Sequence, residues 1–327
     1  MRWKSIPYLK TAEIIMNLNA PRELSTLGIK DVKHLCLLLG TTRSQLDRIC
    51  DNIESYYRRK TETKMKGGKE KKRNFATPIK EFRPISDRLK RLLQRIALPE
   101  YLHGGVKNRS TRTNASEHIG QRMLLNRDLK DFFPSIGPKK VYKMFVEKLK
   151  CAPEPARYLT RLTTLDGGVP QGSPTSTTIA NLVVAPLANR LNGLSKKHKA
   201  KYTQFVDDIS ISGPAYVERL SPVVTKIIQQ EGFVEHPDKS TNASRDEKQV
   251  VTGISVKNGI DAPPKFIKDV RNQIEELGTF KAIGQEIPGK KVNSIKGKIN
   301  YIGQLNKGAA KSLRRRLNRT LAPVINS

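Results

Sequence analysis

Two adjacent aspartates, Asp207 and Asp208, lie in the stretch QFVDDISISG, a run rich in apolar and β-branched residues. The pattern predicts a strand, a turn and a second strand, with both carboxylates at the turn. Adjacent like charges repel each other, and burial of an unpaired carboxylate costs several kcal/mol. The pair therefore either decorates a solvated turn or binds a strongly cationic partner.

A third carboxylate that could join this pair is Asp128, at the end of the predicted strand MLLNRD. Asp131 competes for the role, but it lies in the following turn, so the spacing favours Asp128. Taken singly, each aspartate has the alternative of a turn or helix-capping residue. Taken together in a basic chain, they predict a divalent-metal site, because Mg²⁺ prefers oxygen ligands and a pair of ions can clamp an in-line displacement at phosphorus.

The charge balance of the chain indicates the kind of partner. Its 327 residues include 61 Lys and Arg against 30 Asp and Glu, for a formal net charge of +31. Such a field destabilises the compact state through self-repulsion unless a polyanion neutralises it. We expect that polyanion to be nucleic acid. A membrane surface is the alternative, but no amphipathic basic anchor or lipidation signal is evident.

Cysteine usage and the N-terminal segment predict a cytoplasmic location. Cys36, Cys50 and Cys151 form no CxxC pair, so neither a zinc site nor a disulfide framework is predicted. The N-terminal segment lacks the pattern of a signal peptide, and no apolar stretch reaches transmembrane length. The hydrophobic fraction of 37% is sufficient for a packed core.

Hydrophobic periodicity predicts the elements that must position the aspartates. Residues 31–57 have a helical pattern, and the basic run at 58–73 is expected to form a mobile loop. Residues 75–86 are predicted to be extended and residues 249–256 to form a strand. The chain is helical again beyond about residue 264. This order predicts an α+β protein with a separate C-terminal helical unit. Two apolar stripes mark that unit: Val292, Ile295, Ile299 and Ile302, and then Leu313, Leu317 and Leu321.

Three segments, NRDLKDFFPSI, GVPQGSPTS and FVDD, follow one another along the chain. In this order and at this separation they resemble the palm motifs of a reverse transcriptase. The resemblance implies a right-hand polymerase fold of the α+β class, with fingers, a palm of antiparallel sheet and helices, and a helical thumb. It implies an N-terminal helical region at 1–57, fingers at 58–122, a palm with part of the fingers at 123–262, and a basic helical thumb at 263–327.

The same resemblance implies roles for single residues of the palm. Asp128, Asp207 and Asp208 would be catalytic and hold two Mg²⁺ ions, with the backbone carbonyl of Leu129 as a further ligand. Phe133 falls at the position of an aromatic gate against the ribose 2′-hydroxyl. Phe132 competes for that assignment, and simple core packing is the alternative for either ring.

Five further residues match nucleotide-binding positions. Gln171 and Gly172 match the turn beside the incoming nucleotide and its template base, and Lys239 matches the lysine near the leaving pyrophosphate. The alternative for Lys239 is an ordinary surface lysine. Arg73 and Arg83 lie where the fingers bind the triphosphate, and of these two the FRPIS context favours Arg83.

Two shorter motifs resemble those of the retron reverse transcriptases of bacteria. Asn114 and His118 match an Asn-Ala-x-x-His motif, and residues 251–253 match a VTG motif. The resemblance implies that Asn114 and His118 bind RNA. Departures from the pattern include Val206 in place of a common alanine, Phe205 in place of a common tyrosine, Thr177 in place of a proline, and HGG at 103–105 in place of His-Gly-Phe. A solvated helix face is the alternative for the residues expected to hold duplex RNA on the thumb, which are Arg314, Arg315, Arg316 and Arg319.

The retron resemblance implies an RNA-directed DNA polymerase that uses dNTPs. It would prime from the 2′-hydroxyl of a guanosine and copy part of a structured non-coding RNA into a branched RNA–DNA molecule. Phage defence together with an effector protein is the implied biological role. One alternative is another bacterial defence reverse transcriptase, of the abortive-infection kind or untemplated. A second alternative is an RNA-binding relative that synthesises nothing.

Overall fold

The computed structural model describes residues 26–66, 69–283 and 285–322. The first 25 residues of the predicted N-terminal helical region lie outside the described residues. The chain divides into two compact units. Unit 1 comprises residues 1–106 and 130–188, and unit 2 comprises residues 107–129 and 189–327.

The described elements alternate between helices and strands, as the sequence predicts for an α+β chain. The helices are α1 (Val32–Leu39), α2 (Arg43–Asp51), α3 (Phe82–Leu93), α4 (Thr111–Ser116), α5 (Phe132–Ser135), α6 (Pro138–Lys143), α7 (Pro153–Thr163), α8 (Ser176–Lys197), α9 (Ser221–Gln230), α10 (Pro264–Ala282), α11 (Gly289–Leu305) and α12 (Lys307–Leu321). The strands are β1 (Tyr57–Lys66), β2 (Lys69–Pro78), β3 (Met123–Asp128), β4 (Lys201–Phe205), β5 (Asp208–Gly213), β6 (Thr241–Ser244), β7 (Val250–Val251) and β8 (Ile254–Ser255). No helix in the described residues combines the length and apolar character needed to span a bilayer.

In unit 1, the basic segment expected to be a loop is instead a long antiparallel hairpin of β1 and β2. Its register places Tyr57 opposite Pro78 and Glu62 opposite Arg73. The backbone ladder satisfies the polar main-chain groups while the charged side chains remain in water, so the hairpin needs few apolar residues. The expectation of a mobile loop at 58–73 was therefore wrong.

The segment 75–86 is extended only in its first part. Strand β2 ends at Pro78 and helix α3 begins at Phe82. Pro84 lies in the first turn of α3, where a helix needs no backbone N–H donor, so the proline does not disturb it. The expectation of an extended segment up to residue 86 was wrong for this reason.

Unit 2 contains a four-stranded antiparallel sheet in the order β4-β5-β3-β6. The two central strands β3 and β5 contribute apolar residues to the core, including the buried Leu125 and Ile211, which lie opposite each other. The predicted strand–turn–strand around the aspartate pair is present as β4 and β5. These two strands leave only Val206 and Asp207 as the connecting turn.

The predicted single strand at 249–256 is two short strands, β7 and β8, joined by a tight turn. Thr252 and Gly253 form that turn with φ values of +45° and +80°. Positive φ at both central residues is the requirement of a two-residue hairpin turn, and glycine meets it without steric cost. The VTG triplet therefore provides the turn that reverses the chain direction between β7 and β8.

Helices α10, α11 and α12 form a bundle at residues 264–321 within unit 2. Both apolar stripes predicted from the sequence point into its core, where Ile295, Ile299 and Leu313 are nearly inaccessible to solvent. Val292 and Leu321 pack at the edge of the same core. Because the stripe spacing follows the helical period, the apolar face is buried and the charged residues remain on the outside.

Candidate active site

The two ends of the antiparallel pair β3–β5 bring the predicted carboxylates together in unit 2. Asp128 is the last residue of β3 and lies directly opposite Asp208, the first residue of β5. The Leu129 backbone N–H donates to the Asp207 carbonyl at 3.0 Å, which extends the pairing past the strand end. Asp128, and not the exposed Asp131, therefore occupies the ladder position opposite the aspartate pair.

The turn that carries Asp207 has an unusual backbone. Val206 has a φ of +60°, a conformation in which a β-branched residue is a clear outlier. The Gln204 side-chain Nε2 donates to the Val206 carbonyl at 2.8 Å, and the Tyr202 hydroxyl donates to Gln204 Oε1 at 2.6 Å. Gln204 is only 1% exposed. A buried relay of two side chains thus holds the turn in a conformation that its own residue disfavours.

The segment that contains Lys239 is attached to the same strand end. The His236 backbone N–H donates to the Asp128 carbonyl at 2.7 Å, and Leu129 forms an isolated antiparallel bridge with Glu235. Lys239 Nζ then lies 2.5 Å from Asp128 Oδ1. Asp128 is 8% exposed, so this ammonium group supplies a positive charge to a nearly buried carboxylate.

Arg127, immediately before Asp128, is buried beneath this segment. Its guanidinium donates to the carbonyls of Asn126 and Thr241 at 2.7 and 3.1 Å. It also donates to Ser221 Oγ at 2.5 Å and to Asn242 Oδ1 at 2.9 Å. Burial lowers the pKa of Arg127 from its ordinary value, and the nearby charge of Glu235 opposes that shift.

The donor chemistry at this sheet edge fits a hard divalent cation. The side chains that the ladder gathers there are carboxylates, which Mg²⁺ prefers, and they include no thiol or imidazole. The contact between Lys239 and Asp128 shows that this carboxylate already attracts a cation. Within the described residues, however, no three His, Cys, Asp or Glu side chains lie close enough together to form a ready-made metal site.

The predicted nucleotide-binding residues other than Lys239 belong to unit 1. The Gln171 carbonyl accepts a hydrogen bond from the Ala76 backbone N–H at 2.7 Å, which attaches this turn to strand β2. Gly172 has a φ of +98°, and a Cβ at this position would lie 3.4 Å from the Ala76 carbonyl oxygen. The positive φ therefore favours glycine at this position, where the turn packs against β2.

Of the two arginines expected to bind triphosphate, Arg73 is exposed on the hairpin, whereas Arg83 forms an ion pair within α3. Arg83 Nε lies 2.9 Å from Asp87 Oδ2. Phe133 is half-buried and forms an edge contact with the buried Phe132, with ring centroids 5.5 Å apart. The accessible ring of this pair is thus the one that the sequence places at the ribose gate.

Comparison with known proteins identifies the family. The family model described as "Reverse transcriptase (RNA-dependent DNA polymerase)" matches residues 63–303. The chain is 31% identical over 272 residues to the retron Se72 reverse transcriptase of Salmonella heidelberg (strain 579083-10), an alignment that covers 80% of this chain and 69% of that protein. It is 26% identical over 285 residues to the retron Ec86 reverse transcriptase of Escherichia coli, with 85% and 87% covered.

The chain belongs to the retron-type reverse transcriptases of bacteria. It is accordingly an RNA-directed DNA polymerase with the right-hand polymerase fold, and its family generally uses divalent metal ions. A solved foamy viral protease–reverse transcriptase, in complex with double-stranded DNA, is similar at a TM-score of 0.43 and 16% identity, covering 92% of this chain and 49% of that one. A likeness at that score adds nothing to the assignment.

In this reverse transcriptase, Asn114 and His118, which the sequence predicts to bind RNA, are both fully buried. The two ring nitrogens of His118 lie 2.7 Å from Ser212 Oγ and 2.7 Å from Thr203 Oγ1. Asn114 Nδ2 donates to Thr252 Oγ1 at 3.4 Å. These contacts link α4 to the β4–β5 hairpin and to the VTG turn, so the motif holds the sheet together from within.

The predicted RNA-binding arginines of the reverse transcriptase lie on the exposed side of α12. Arg314 donates to Asn300 Oδ1 at 2.9 Å, and Arg316 lies 2.5 Å from Glu275 Oε1. The described part of the chain gives Arg315 and Arg319 no acidic partner within ion-pair distance. Among the described residues, only Arg316 of these four arginines has a carboxylate partner, and Arg314 is hydrogen-bonded to an uncharged amide.

Sequence reasoning missed the residues that hold the catalytic edge of the reverse transcriptase in place. Gln204, Arg127 and Glu235 are all close in sequence to predicted site residues, but their partners are known only from the fold. One signal was available for Arg127: an arginine next to Asp128 within a predicted buried strand requires several oxygen partners.

Proposed function

We propose that this reverse transcriptase copies a cognate structured non-coding RNA into a branched RNA–DNA molecule, by Mg²⁺-dependent phosphoryl transfer and in the service of phage defence. The observation that carries the polymerase chemistry is the register that sets Asp128 opposite Asp208, with Asp207 in the adjoining turn. The names of the retron relatives and the two retron-like motifs support the RNA template and the branched product.

Asp128, Asp207 and Asp208 would hold the metal ions, with the Leu129 carbonyl as a further ligand. The chemistry that two Mg²⁺ ions supply at such a site is activation of the primer hydroxyl and neutralisation of charge on the triphosphate. The three carboxylates would hold the positive charge of the metal ions at one end of the sheet. The relay from Tyr202 through Gln204 fixes the turn, so that Asp207 is presented with little conformational freedom.

Other residues would bind and orient the substrates. Lys239 would leave Asp128 and stabilise negative charge on the departing pyrophosphate. Arg73 is exposed and available to the triphosphate, whereas Arg83 would first have to exchange its ion pair with Asp87. The half-buried Phe133 would oppose a ribose 2′-hydroxyl, and Gln171 with Gly172 would line the nucleotide site.

The thumb would hold the RNA or the RNA–DNA duplex through phosphate contacts. The side chains expected to do so are Arg314, Arg315, Arg316 and Arg319, on the exposed side of α12. Helical RNA is recognised mainly through its shape and backbone, which suits arginines on a rigid helix.

The test is made in cells that express the gene together with its native flanking DNA. Total nucleic acid is treated with RNase, with debranching enzyme or with neither, and small discrete DNA is sought. We expect a DNA whose mobility changes on debranching and whose sequence matches the flanking RNA. The matched control is Asp207→Asn, which should abolish the DNA while RNA affinity stays nearly unchanged.

Other outcomes would redirect the proposal. An unbranched DNA of defined sequence would place the enzyme in another defence family, and a heterogeneous DNA unrelated to any template would indicate untemplated synthesis. Retained synthesis in Asp207→Asn would overturn the assignment of the carboxylates. RNA binding without synthesis by the purified wild type, with Mg²⁺, dNTPs and a primed template supplied, would indicate an RNA-binding relative.

A further inference from the structure

The segment that carries Lys239 has little regular structure of its own. Residues 231–240 contain only a single 3₁₀ turn at Pro237–Lys239, and Val234, Pro237 and Asp238 are exposed. A segment of this kind keeps a long lysine side chain at a defined place only if other contacts fix its backbone. Backbone contacts with Asp128 and Leu129 supply part of that attachment, and the buried side chain of Arg127 supplies the rest.

Five oxygen atoms surround the Arg127 guanidinium, which has five N–H donors. One of them is Glu235 Oε2, at 3.2 Å from Nε in an ion pair whose two side chains are 4% and 14% exposed. Of the other four, one is the Asn126 carbonyl of β3 itself, and three come from the two flanks of the Lys239 segment. Ser221 begins helix α9 before the segment, and Thr241 and Asn242 belong to β6 after it. Arg127 therefore connects β3 to both flanks of the segment and, through Glu235, to its interior.

Glu235 is also fixed from the other side. Its Oε2 accepts a hydrogen bond from Ser240 Oγ at 3.2 Å, and its backbone pairs with Leu129. Ser240 directly follows Lys239 in the sequence. Lys239 therefore lies between Glu235 and Ser240, two residues that are both held through the Glu235 carboxylate. Glu235 Oε1 is buried and has no hydrogen-bond partner among the described residues, so the polar contacts of this carboxylate are those that Oε2 makes with Arg127 and Ser240.

We propose that Arg127 and Glu235 are positioning residues that clamp the Lys239 segment onto the catalytic strand and so set where the Lys239 ammonium group can reach. The clamp acts through Lys239 and has no contact with substrate. This inference rests on the proposed function for the role of Lys239 in catalysis. The placement of Lys239 is independent of that function and can be measured without polymerase activity.

The first experiment measures the reactivity of Lys239 in the metal-free protein. Competitive acetylation by acetic anhydride is read by mass spectrometry, with the exposed Lys226 and Lys248 as internal references. Glu235→Gln removes the charge but keeps the shape, and it should raise the relative labelling of Lys239 roughly tenfold, because loss of one buried charged contact shifts the attached and detached populations by about that factor or more. The matched control is Glu231→Gln, since Glu231 forms an ion pair with Arg190 at 2.7 Å but makes no contact with this network in the described residues.

A milder variant guards against loss of the fold. If Glu235→Gln does not fold, Ser240→Ala removes one hydroxyl donor to Glu235 and should raise Lys239 labelling about twofold to threefold. Unchanged Lys239 labelling in the folded Glu235→Gln protein, or failing that in Ser240→Ala, overturns the proposal. An equal rise at Lys226 and Lys248 also overturns it, because it would indicate general loosening of unit 2.

The second experiment asks whether the clamp acts through Lys239. Rates of dNTP incorporation are compared for Glu235→Gln, Lys239→Met and the double variant. If Glu235 acts through Lys239, the double variant should be no slower than Lys239→Met alone, whereas independent roles would multiply the two losses. A multiplied loss overturns the proposal. Absence of incorporation by the wild type would count against the proposed function, and the labelling result would still decide the clamp.

Discussion

The carboxylate edge of the sheet and the helical bundle at residues 264–321 belong to the same unit, yet different forces hold their side chains in place. At the edge, Asp128, Arg127 and Gln204 are buried polar groups, each fixed by specific partners. In the bundle, the Leu and Ile core fixes the helices, and the charged residues on the outside form exposed ion pairs such as that of Arg316 with Glu275. A buried polar network fixes one arrangement of its side chains. An apolar core fixes how the helices pack but tolerates many different residues on their outer faces.

The comparison has a consequence for substitutions. At the edge, a change of one functional group should destroy function with little change in volume. In the bundle, a change of volume should destabilise the fold, and an exchange between like charges on the surface should matter little.

The largest effect is expected at the edge, from Asp208→Asn. The amide keeps the size of the side chain but lacks the negative charge that a divalent ion requires, so transition-state charge stabilisation of several kcal/mol is lost. Incorporation of dNTPs on a primed RNA template should fall about a thousandfold or more. Thermal unfolding should stay near that of the wild type, and a loss below tenfold would show that Asp208 is not a metal ligand.

The next effect concerns stability and lies in the bundle. Ile299→Ala removes buried apolar volume from the core of α10, α11 and α12 and should lower the free energy of unfolding by about 2–4 kcal/mol, measured by urea denaturation. Lys296→Ala, on the exposed side of the same helix, is the matched control and should change it by less than about 0.5 kcal/mol. Equal effects of the two substitutions would mean that the bundle is not the packed unit described here.

The third prediction concerns the charges outside that core. Replacement of Arg315 and Arg319 by glutamine should weaken RNA binding about equally for all sequences and lower the slope of log affinity against log salt by about 2, because each phosphate contact contributes about 1. Replacement of both by lysine should restore most of the slope, since only the charge is required. A normal slope in the glutamine variant would place the RNA on another surface.

The contrast also explains what the sequence could predict. The apolar stripes of the bundle follow the helical period, and the residues around the aspartate pair are rich in apolar and β-branched types, so the core residues and the strand–turn–strand could be predicted. The proximity of Asp128 and Asp208 could also be predicted, because the order of the three motifs along the chain implied it. In these regions local pattern and tertiary structure agree.

Other features depend on partners that are distant in sequence. The pairing of Arg127 with Glu235 joins two residues from separate segments, and the local sequence of neither residue predicts its partner. The hairpin of β1 and β2 was predicted as a loop because its residues are charged, although its ladder needs only backbone groups. Asn114 and His118 were expected to contact RNA, and the fold instead buries them against strands that follow later in the chain.

The smallest expected effect tests whether the edge stores strain in its backbone. Val206 has a φ of +60°, which costs a non-glycine residue of order 1–3 kcal/mol. Glycine adopts this conformation freely but loses about 0.5–1 kcal/mol more backbone entropy on folding. Val206→Gly should therefore raise the free energy of unfolding by about 0.5–1 kcal/mol, measured by urea denaturation.

Val206→Ala is the matched control for this change, because it truncates the side chain but keeps a Cβ, and thus most of the penalty for positive φ. A glycine variant that is less stable than the alanine variant would show that relief of the positive φ does not outweigh the backbone entropy that glycine loses, so that little strain is stored at this turn. If the glycine variant is the more stable of the two and also incorporates dNTPs more slowly, the strain serves function. The constrained turn then limits where Asp207 can point, and the Gln204 relay holds it there against the preference of its own residue.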